Sequence, residues 1–586
     1  MKQIRLQIIL LTILYYSVVA STTANAQEWK WGIAPQFAPA EPGFSGFMYG
    51  AIAADAFGDV FISGSTFNLY SCIFGPDTVV PQHYWYNQPV VAKCDSSGHF
   101  LWAINARSAN ASPVGITTDA AGNLYLFGSY ITDSVCIIGT DTLKCPDGIN
   151  ASVFFIAKID PDGHVLWAKN VVIPQGANSV SSGLDYVGPY GGVCLDGAGN
   201  IYIAGIFGTT SVSIGSDTIF NADATASTND FFVAKLDSSG NALWAGAYGG
   251  TDNDYVNSIA VSPSGNVYLA GSYISASMAI GATTMTNAGN ANNIFIAKFD
   301  SSGHPHWARS VAGNASTTDE AEALAIDGNE NLYFTGGFTL GSIHFGSLTL
   351  SGSAAGCLFI VKYDSSGNVK WAKTASSAQS SGYGIAADNC GNIWACGQMS
   401  SNLNFGGHVI ATPVSPYNPT YLVELDTAGN YMNGMAIANG GGANNNIVVD
   451  DKGSFFVAGL FNSGDPLVDF IIGPDTLTID SQYQNLFVAR YVYGDTDACN
   501  FHTPTSTNAN PMPANNISVY PNPATKNLTI VARDGISTVV ISNLLGQTVY
   551  INHYNCMQAG IDVSNLPPGI YLVRVNGSEV TKFVKE

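Results

Sequence analysis

Residues 258–272 read SIAVSPSGNVYLAGS, and residues 231–247 read FFVAKLDSSGNALWAGA. These two halves alternate along the central chain as one repeated unit. The turn residue of the first half stands at Asp55, Asp119, Asp196, Ser262, Asp327, Asp388 and Asp450. Successive copies are therefore 64, 77, 66, 65, 61 and 62 residues apart, and a glycine follows nine residues after each turn residue. Such regular spacing indicates a supersecondary unit that must pack on copies of itself.

Within each copy, short apolar runs are separated by turns such as Asp-Ser-Ser-Gly at 95–98 and 237–240. Asp at the first position and Gly at the fourth suit a type I turn that ends in a left-handed residue. Seven residues after five of the turn aspartates stands a tryptophan, at Trp102, Trp167, Trp244, Trp307 and Trp371. The pattern predicts four main strands in each copy and an all-β chain.

The seventh copy is incomplete, because it ends near residue 495 without a tryptophan strand. An unmatched strand of that type, EWKWGIA, stands at residues 28–34. We expect the segment around Trp31 to pair beside residues 485–493 and so to close a ring, which leaves no sheet edge exposed. The sequence thus predicts a seven-bladed β-propeller over residues 27–494, closed by an N-terminal strand.

The paired motif D-x-x-G-N-x-Y and K-x-D-x-x-G-x-x-x-W resembles the SBBP ("seven-bladed β-propeller") repeat of secreted bacterial proteins. The resemblance covers nearly the whole central region and implies an architecture, without any enzymatic activity. The sialidase Asp box does not fit, because the glycine here comes three residues after the aspartate. The adjacent Cys-Cys pair of quinoprotein dehydrogenases is missing as well, so we expect no quinone and no other cofactor, apart from Ca²⁺ at acidic loops.

Both ends of the chain carry export signals. Residues 1–26 combine Lys2 and Arg5 with an apolar run and the small-x-small site Ala24-Asn25-Ala26, which predicts a Sec signal peptide. A linker rich in Thr, Asn and Pro follows the repeats at residues 495–515, and residues 516–586 form a different set of alternating strands, for which we expect a small immunoglobulin-like β-sandwich.

Residues 516–586 resemble the type A C-terminal sorting domain of the type IX secretion system. The matching positions are Tyr520, Pro521, Asn522, Pro523, Gly546, Gly569, Tyr571, Lys582 and Lys585. The resemblance implies passage through the outer membrane by the type IX machinery, followed by release or attachment to the cell surface. An ordinary β-sandwich without an export role is the alternative.

The composition argues against two classes of partner, nucleic acids and membranes. The net charge is −21, which repels nucleic acid phosphates, and beyond the signal peptide no apolar run is long enough to span a membrane. We expect a monomer. The ten cysteines form no zinc-binding C-x-x-C pair, and Cys72 with Cys94 is one candidate disulfide within the first copy.

No H-E-x-x-H, G-x-S-x-G or phosphate-binding loop occurs in the sequence. His99, His164 and His304 share one position after the turn glycine, which predicts solvated turn residues. The repeated third-strand lysines, such as Lys93 and Lys235, predict ion pairs or snorkelling side chains rather than catalytic groups.

A ligand site is expected where the repeat is interrupted, on the loops at one face of the ring. The candidate residues are His83, Trp85, Tyr186, Tyr190, Asp252, Asp254, Asp319 and Glu322. Aromatic side chains beside carboxylates suit a sugar ring, with or without Ca²⁺. The alternative is a solvated acidic rim with aromatic side chains folded onto it.

These observations predict a secreted or surface-attached, non-catalytic protein that binds an extracellular glycan or protein. The runner-up hypothesis is a polysaccharide lyase or glycoside hydrolase that uses paired carboxylates on the same loops. A purely structural surface protein is a third hypothesis.

Overall fold

The computed structural model is all-β and divides into two compact units, Met1–Phe501 and His502–Glu586. The boundary lies inside the linker predicted at 495–515. Among the described residues there is no helix, and hence none that could cross a bilayer. The structure describes residues 28–37, 46–67, 71–80, 88–107, 111–130, 135–145, 152–175, 191–225, 227–287, 292–311, 313, 319–339, 341–352, 356–375, 380–388, 391–413, 418–437, 446–450, 454–462, 470–472, 475–477, 484–492, 517–520, 524, 526–543, 547–576 and 579–585.

Each repeat forms an antiparallel sheet of four main strands, with a short hairpin between the second and third strands. The strands of the first two repeats, with the two that precede them, are β1 (Glu28–Ile33), β2 (Gln36–Phe37), β3 (Gly46–Ala54), β4 (Val60–Phe67), β5 (Cys72–Phe74), β6 (Asp77–Val79), β7 (Gln88–Cys94), β8 (Phe100–Asn105), β9 (Ala111–Thr118), β10 (Leu124–Tyr130), β11 (Val135–Ile138), β12 (Asp141–Lys144), β13 (Val153–Ile159) and β14 (Val165–Gln175). The first sheet has the order β3-β4-β7-β8, and β9-β10-β13-β14 follows the same order.

The third, fourth and fifth repeats keep this arrangement. Their strands are β15 (Gly192–Leu195), β16 (Ile201–Phe207), β17 (Ser211–Ile214), β18 (Asp217–Phe220), β19 (Asp230–Leu236), β20 (Ala242–Tyr248), β21 (Asp254–Val261), β22 (Val267–Tyr273), β23 (Ser277–Ile280), β24 (Thr283–Thr286), β25 (Asn293–Phe299), β26 (Pro305–Val311), β27 (Glu320–Ile326), β28 (Leu332–Phe338), β29 (Gly341–Phe345), β30 (Leu348–Gly352), β31 (Cys357–Tyr363) and β32 (Val369–Thr374).

The seventh repeat differs in the origin of its fourth strand. The strands of the last two repeats are β33 (Ser380–Ala387), β34 (Ile393–Met399), β35 (Leu403–Phe405), β36 (His408–Ile410), β37 (Thr420–Leu425), β38 (Tyr431–Ile437), β39 (Asn446–Val449), β40 (Phe455–Asn462), β41 (Phe470–Ile472), β42 (Asp475–Leu477) and β43 (Gln484–Val492). The last sheet has the order β39-β40-β43-β1, and Trp31 of β1 lies opposite Arg490 of β43.

Apolar clusters lie between consecutive sheets rather than inside single ones. One cluster joins Phe127 of the second sheet to Phe232 of the third, and another joins Tyr268 of the fourth to Phe359 of the fifth. A further cluster contains residues of the last sheet and of the first. Second strands such as β10 and β22 are buried along their whole length because both faces are covered by neighbouring sheets.

The fourth-strand tryptophans contact the turn of the next sheet, and we call this the tryptophan–turn contact. The indole Nε1 of Trp244 donates to the carbonyl oxygen of Ser301 at 3.1 Å, and a Cβ added to Gly303 would lie 2.9 Å from the indole ring. The same donation joins Trp31 to Ser96, Trp102 to Pro161, Trp307 to Ser365 and Trp371 to Thr427. A glycine is needed in each turn because the backbone φ is positive and the ring leaves no room for a side chain.

Three third-strand lysines, Lys93, Lys158 and Lys235, form ion pairs with the first-half turn of their own sheet. Lys93 Nζ lies 3.1 Å from Asp59 and 3.6 Å from Asp55, and Lys235 Nζ lies 3.5 Å from Asp196. These cations also lie over aromatic rings, as Lys235 does over Tyr202 at 4.9 Å. The lysines therefore join the second and third strands to the turn, which is a structural role.

Cys72 on β5 and Cys94 on β7 are both buried free thiols. The candidate disulfide between them is therefore not formed. Burial alone raises the pKa of Cys72 to about 12, so its thiol stays protonated and unreactive.

The C-terminal unit is a separate antiparallel sheet with its own core. Its strands are β44 (Ile517–Tyr520), β45 (Asn527–Asn543), β46 (Thr548–Asp562), β47 (Gly569–Val575) and β48 (Glu579–Lys585). The pairing of the long strands β45 and β46 shifts register between Val531 and Ile536, and residues from both halves of β45 share one apolar cluster with Phe583. This unit can therefore bury a core without help from the repeats.

Candidate functional site

The first strands of the seven sheets line a common cavity of about 380 Å³. Neighbouring first strands are in direct contact, since the backbone N–H of Leu324 on β27 donates to the Ser258 hydroxyl on β21 at 3.2 Å. Most of the wall consists of small or apolar residues such as Ala53, Ile116 and Val448. The few polar side chains in this wall are therefore the candidates for ligand contact.

Three polar residues of this wall, Asn257, Glu322 and Tyr383, stand at β-bulges of the first strands. The register shifts between Val256 and Ser258 and between Ala321 and Ala323, so that Asn257 and Glu322 are the extra residues. Tyr383 has the same place on β33. A bulge turns one side chain out of the alternation of its strand, and here all three line the cavity.

Glu320 and Glu322 form a carboxyl pair on one strand. Burial raises the pKa of the Glu322 carboxyl well above its usual range. The charge of Glu320 and the interaction of its carboxyl group with that of Glu322 raise this pKa further. Glu320 also accepts a hydrogen bond from the Asn292 amide at 3.4 Å. Burial of Tyr383, together with the charges of Glu322 and Glu320, raises the pKa of its hydroxyl. This end of the cavity therefore has a negative potential.

Asn257 lies on the neighbouring strand and is 5% exposed. Its side-chain oxygen, Oδ1, is buried and has no hydrogen-bond partner among the described residues. A buried acceptor without a donor costs about 1–3 kcal/mol, so this oxygen is an unfavourable feature of the cavity wall.

The structure places the predicted acidic residues in different environments. Asp252 is exposed on the loop before β21. Asp254 is buried and accepts hydrogen bonds from the hydroxyl of Ser275 at 2.8 Å and from two backbone N–H groups of the loop between β22 and β23. Burial raises the pKa of Asp254 to about 6 despite these bonds. Asp254 thus stabilises this loop. Its carboxylate is buried by these contacts and does not face the solvent.

Asp319 and Asp230 resemble Asp254 in being buried acids at the start of a strand. A side chain added at Gly313 would collide with Asp319, and one at Gly249 would collide with Asp230. Burial raises the pKa of each to about 7, and in Asp230 the charge of Asp254 adds to the effect. Sequence reasoning missed Asp230, because no motif distinguishes it from other strand-initial residues.

The predicted aromatic residues His83, Trp85, Tyr186 and Tyr190 lie outside the described residues. Of the predicted acids, Glu322 lines the cavity. Asp254 and Asp319 lie instead at the starts of the two neighbouring strands β21 and β27. Asn257 and Tyr383 were missed, although the sequence carries a signal. Each stands 14 residues before the second-strand glycine of its copy, as Glu322 does.

The turn histidines are solvated, as predicted. His164 is exposed, and its Nδ1 lies 3.1 Å from Asp160. Asp160, Asp162 and His164 bring three potential metal-ligand atoms within 4.8 Å of one another. Asp160 already accepts two backbone hydrogen bonds of its turn, and the other turn aspartates do so without a metal-binding neighbour set. The group is therefore explained by turn formation.

The described sorting residues lie on the strands of the C-terminal unit. Tyr520 ends β44, Gly569 begins β47, and the buried Tyr571 donates its hydroxyl to the Pro567 carbonyl at 2.8 Å. Lys582 is exposed and Lys585 is buried on β48. Pro521, Asn522, Pro523 and Gly546 lie outside the described residues.

Comparison with known proteins gives a family match for the C-terminal unit. Residues 518–586 match the family described as "Secretion system C-terminal sorting domain". Over 445 residues, the chain is 26% identical to the uncharacterized WD repeat-containing protein L264 of Acanthamoeba polyphaga mimivirus. That match covers 64% of this chain and 31% of the viral protein, so the chain spans less than a third of that relative.

Two solved structures are similar over most of the chain. A protein of unknown function from Dyadobacter fermentans is 8% identical, with a TM-score of 0.35, and the match covers 79% of this chain and 98% of that one. PorZ, described as an essential bacterial surface component of the type IX secretion system of Porphyromonas gingivalis, is 12% identical, with a TM-score of 0.18 and coverage of 92% and 81%. The chain therefore has a C-terminal secretion-system sorting domain, which follows in sequence a region of repeated four-stranded antiparallel sheets.

Proposed function

We propose that the protein is a non-catalytic binding protein of the cell exterior, delivered by the type IX secretion system. The match of residues 518–586 to the sorting domain carries this proposal, because the type IX machinery recognises its cargo through a C-terminal domain of this kind. Residues 1–26 would direct the chain through the Sec pathway first. The repeats would then be the part presented outside the cell, released or attached to its surface.

The presented body is, in this proposal, a closed seven-bladed β-propeller of the SBBP type. Three observations support it: β1 completes the last sheet, Trp31 contacts the turn of the first sheet, and an apolar cluster joins those two sheets. A ring of this kind offers two loop faces and few strand edges, which suits a monomer exposed to the extracellular medium.

The ligand in this proposal is an extracellular glycan or protein. Catalysis is less well supported, because a glycosidase needs two carboxyl groups about 5–9.5 Å apart on either side of the scissile bond. Asp254 and Asp319 are buried at strand starts, and Glu320 and Glu322 lie on one strand rather than on opposite sides of a cleft. These arrangements favour a binding or scaffolding role over the lyase or hydrolase hypothesis.

A localisation experiment tests the proposal. The full chain and a variant without residues 518–586 would be produced in a bacterium with an active type IX system and in a mutant without it. We expect surface protease accessibility or release into the medium only for the full chain in the active strain, with periplasmic retention in the other three cases. Equal export of the truncated chain would contradict the proposal.

The binding role has its own test. The exported chain would be incubated with a panel of polysaccharides, and both retention and the release of new reducing or unsaturated ends would be recorded. Retention without products supports a binding protein. Product release would overturn the non-catalytic assignment while leaving the export assignment intact.

A further inference from the structure

The turn between β3 and β4 of the first repeat departs from the other copies at two positions. Phe61 stands where four copies have a tyrosine, and Asp59 stands where five have an asparagine, at Asn123, Asn200, Asn266, Asn331 and Asn392. In the third copy the amide of Asn200 and the hydroxyl of Tyr202 donate to Oδ2 of Asp196, at 2.8 and 3.1 Å. The first copy lacks both of these side-chain donors and has a second carboxyl group instead.

The two carboxyl groups of this turn share one lysine. Lys93 Nζ lies 3.1 Å from Oδ2 of Asp59 and 3.6 Å from Oδ2 of Asp55. The side chains are buried, with exposed fractions of 5% for Lys93, 11% for Asp59 and 0% for Asp55. Oδ1 of Asp55 accepts the backbone N–H groups of Phe57 and Asp59, each at 2.9 Å. These bonds fix the Asp55 carboxyl group beside the lysine.

The surroundings of this cluster exclude water. The ring of Phe61 lies 5.0 Å from Lys93 Nζ, and a Cβ added at Gly122 of the second sheet would lie 3.3 Å from Oδ2 of Asp55. One ammonium group cannot balance two ionised carboxylates, and an excess charge is costly in a buried position. Burial and the charge of Asp59 accordingly raise the pKa of the Asp55 carboxyl. The cluster therefore favours a proton on Asp55.

A buried amine, a carboxyl group in contact with it and a second carboxyl group that holds a proton are the groups that amide formation between side chains requires. Burial disfavours the charged forms of lysine and aspartate, and so favours the neutral amine and acid that react. The fold also holds the reacting groups together, which removes the entropic cost of their encounter. We propose that Lys93 Nζ and Asp59 Cγ become joined by an amide bond, and that the Asp55 carboxyl group transfers the protons.

The reaction balances without an oxidant or a cofactor. A proton passes from Lys93 to Asp59 within the ion pair and leaves a neutral amine beside a carboxylic acid. The nitrogen lone pair forms the new bond at Asp59 Cγ, while Asp55 donates its proton to an Asp59 oxygen and accepts one from Nζ. Asp55 then passes a proton from one Asp59 hydroxyl to the other, so that the C–O bond breaks and water leaves. Asp55 ends as a carboxylic acid, as it began.

The product is a covalent link between β7 and the turn that precedes β4, within the sheet that packs against the last one. The third copy offers the comparison, because Lys235 lies 3.5 Å from Asp196 and the second acidic position of that turn is Asn200. Without a second carboxyl group, that lysine remains in an ion pair. The modification is independent of the proposed export route and of the proposed ligand.

Mass spectrometry of a chain of residues 27–586 under denaturing conditions tests the bond. We expect the mass to be lower by one water molecule than the sequence gives. Tryptic digestion should yield one branched peptide that joins the segments of Asp59 and Lys93, with no cleavage after Lys93, because trypsin requires an unmodified lysine. An unreduced mass would overturn the proposal. A loss of water located at an Asp-Gly succinimide, such as that of Asp162 and Gly163, would overturn it as well.

Lys93→Arg removes the amine that reacts and keeps the charge. The seventh copy has Arg490 at this position, so the variant should fold. Lys235→Arg is the matched control in the third copy. We expect the unreduced mass for Lys93→Arg and the loss of water for Lys235→Arg. Asp55→Asn should also give the unreduced mass, because an amide cannot transfer the protons. A loss of water in Lys93→Arg, or an undiminished loss in Asp55→Asn, would overturn the assigned roles.

Discussion

The indole nitrogen of Trp31 donates a hydrogen bond to the carbonyl oxygen of Ser96 at 3.0 Å. Trp31 belongs to the strand that completes the last sheet, and Ser96 belongs to a turn of the first. Arg490, opposite Trp31, donates to the same carbonyl at 2.6 Å. The first and last repeats are thus joined by the same contact that joins internal neighbours, although their sequences lie at opposite ends of the repeat region.

Gly98 allows a direct test of that contact. Its φ is +87°, and an added Cβ would lie 2.8 Å from the Trp31 ring. Gly199 has a similar φ of +78° but nothing within 4 Å of the added Cβ. Gly199→Ala should therefore cost only the backbone penalty of about 1–2 kcal/mol.

Gly98→Ala should cost about 1–3 kcal/mol more than Gly199→Ala in the free energy of unfolding, because it also displaces the indole. Urea unfolding of both variants measures the difference. Equal losses in the two variants would show that the Trp31 ring does not pack on this turn in solution.

Glu330 provides a second test, because it compensates for a change in a neighbouring repeat. In the fourth copy Ser262 replaces the turn aspartate that pairs with the third-strand lysine in the first three copies. Glu330 of the next repeat reaches across, and its carboxylate lies 2.9 Å from Lys298 Nζ and 2.9 Å from the Tyr268 hydroxyl. Glu330 occupies a position where other copies have glycine, and its φ is +59°.

Glu330→Gly should relax the backbone but leave Lys298 buried without its carboxylate, for a net loss of about 1–3 kcal/mol in the free energy of unfolding. Ser262→Asp in the same chain should restore most of that loss by returning the carboxylate to the fourth repeat. A double-mutant cycle by urea unfolding measures the coupling. Additive effects of the two substitutions would contradict the compensation.

The buried acids predict how stability depends on pH. The pKa values of Asp230 and Asp319 are raised to about 7 and that of Asp254 to about 6, whereas an unfolded aspartate titrates near about 4. Between these values the folded chain holds more protons than the unfolded chain, so stability decreases as pH rises from about 4 to about 7.

Urea unfolding at about pH 5 and about pH 8 should therefore give the higher midpoint at the lower pH. Asp319→Asn should reduce this difference, because an amide cannot ionise, whereas Asp252→Asn should leave it unchanged, because Asp252 is exposed. A higher midpoint at the alkaline pH in the unchanged chain would show that these carboxylates are charged and satisfied when folded.

The repeat spacing predicts much of the fold because strand, turn and tryptophan positions depend on local residue types. The pairing of the segment around Trp31 with β43 follows from counting which strand the last repeat lacks. The site was harder to predict. The sequence predicts Asp254 and Asp319 as ligand-facing acids, but their burial depends on contacts with Ser275 and Gly313 that sequence spacing does not specify.

Asn257 and Tyr383 illustrate the opposite case. Their residue types suggest no chemistry, and only the bulge places them in the cavity wall. A comparison of the seven copies at the position 14 residues before each second-strand glycine would have grouped them with Glu322. In a repeat protein, the positions that vary at a fixed place in the unit are therefore the ones to inspect for function.

The central claim is that the N-terminal strand joins the last repeat to the first in one ring. Amide hydrogen exchange, measured by mass spectrometry on a chain of residues 27–586 and on a chain that starts at residue 38, tests it most directly. We predict that removing residues 27–37 speeds exchange in two distant segments, Gln484–Val492 of β43 and the turn at 95–98, while Val267–Tyr273 of β22 keeps its protection. Faster exchange in β43 alone, with an unchanged turn at 95–98, would contradict a closed ring.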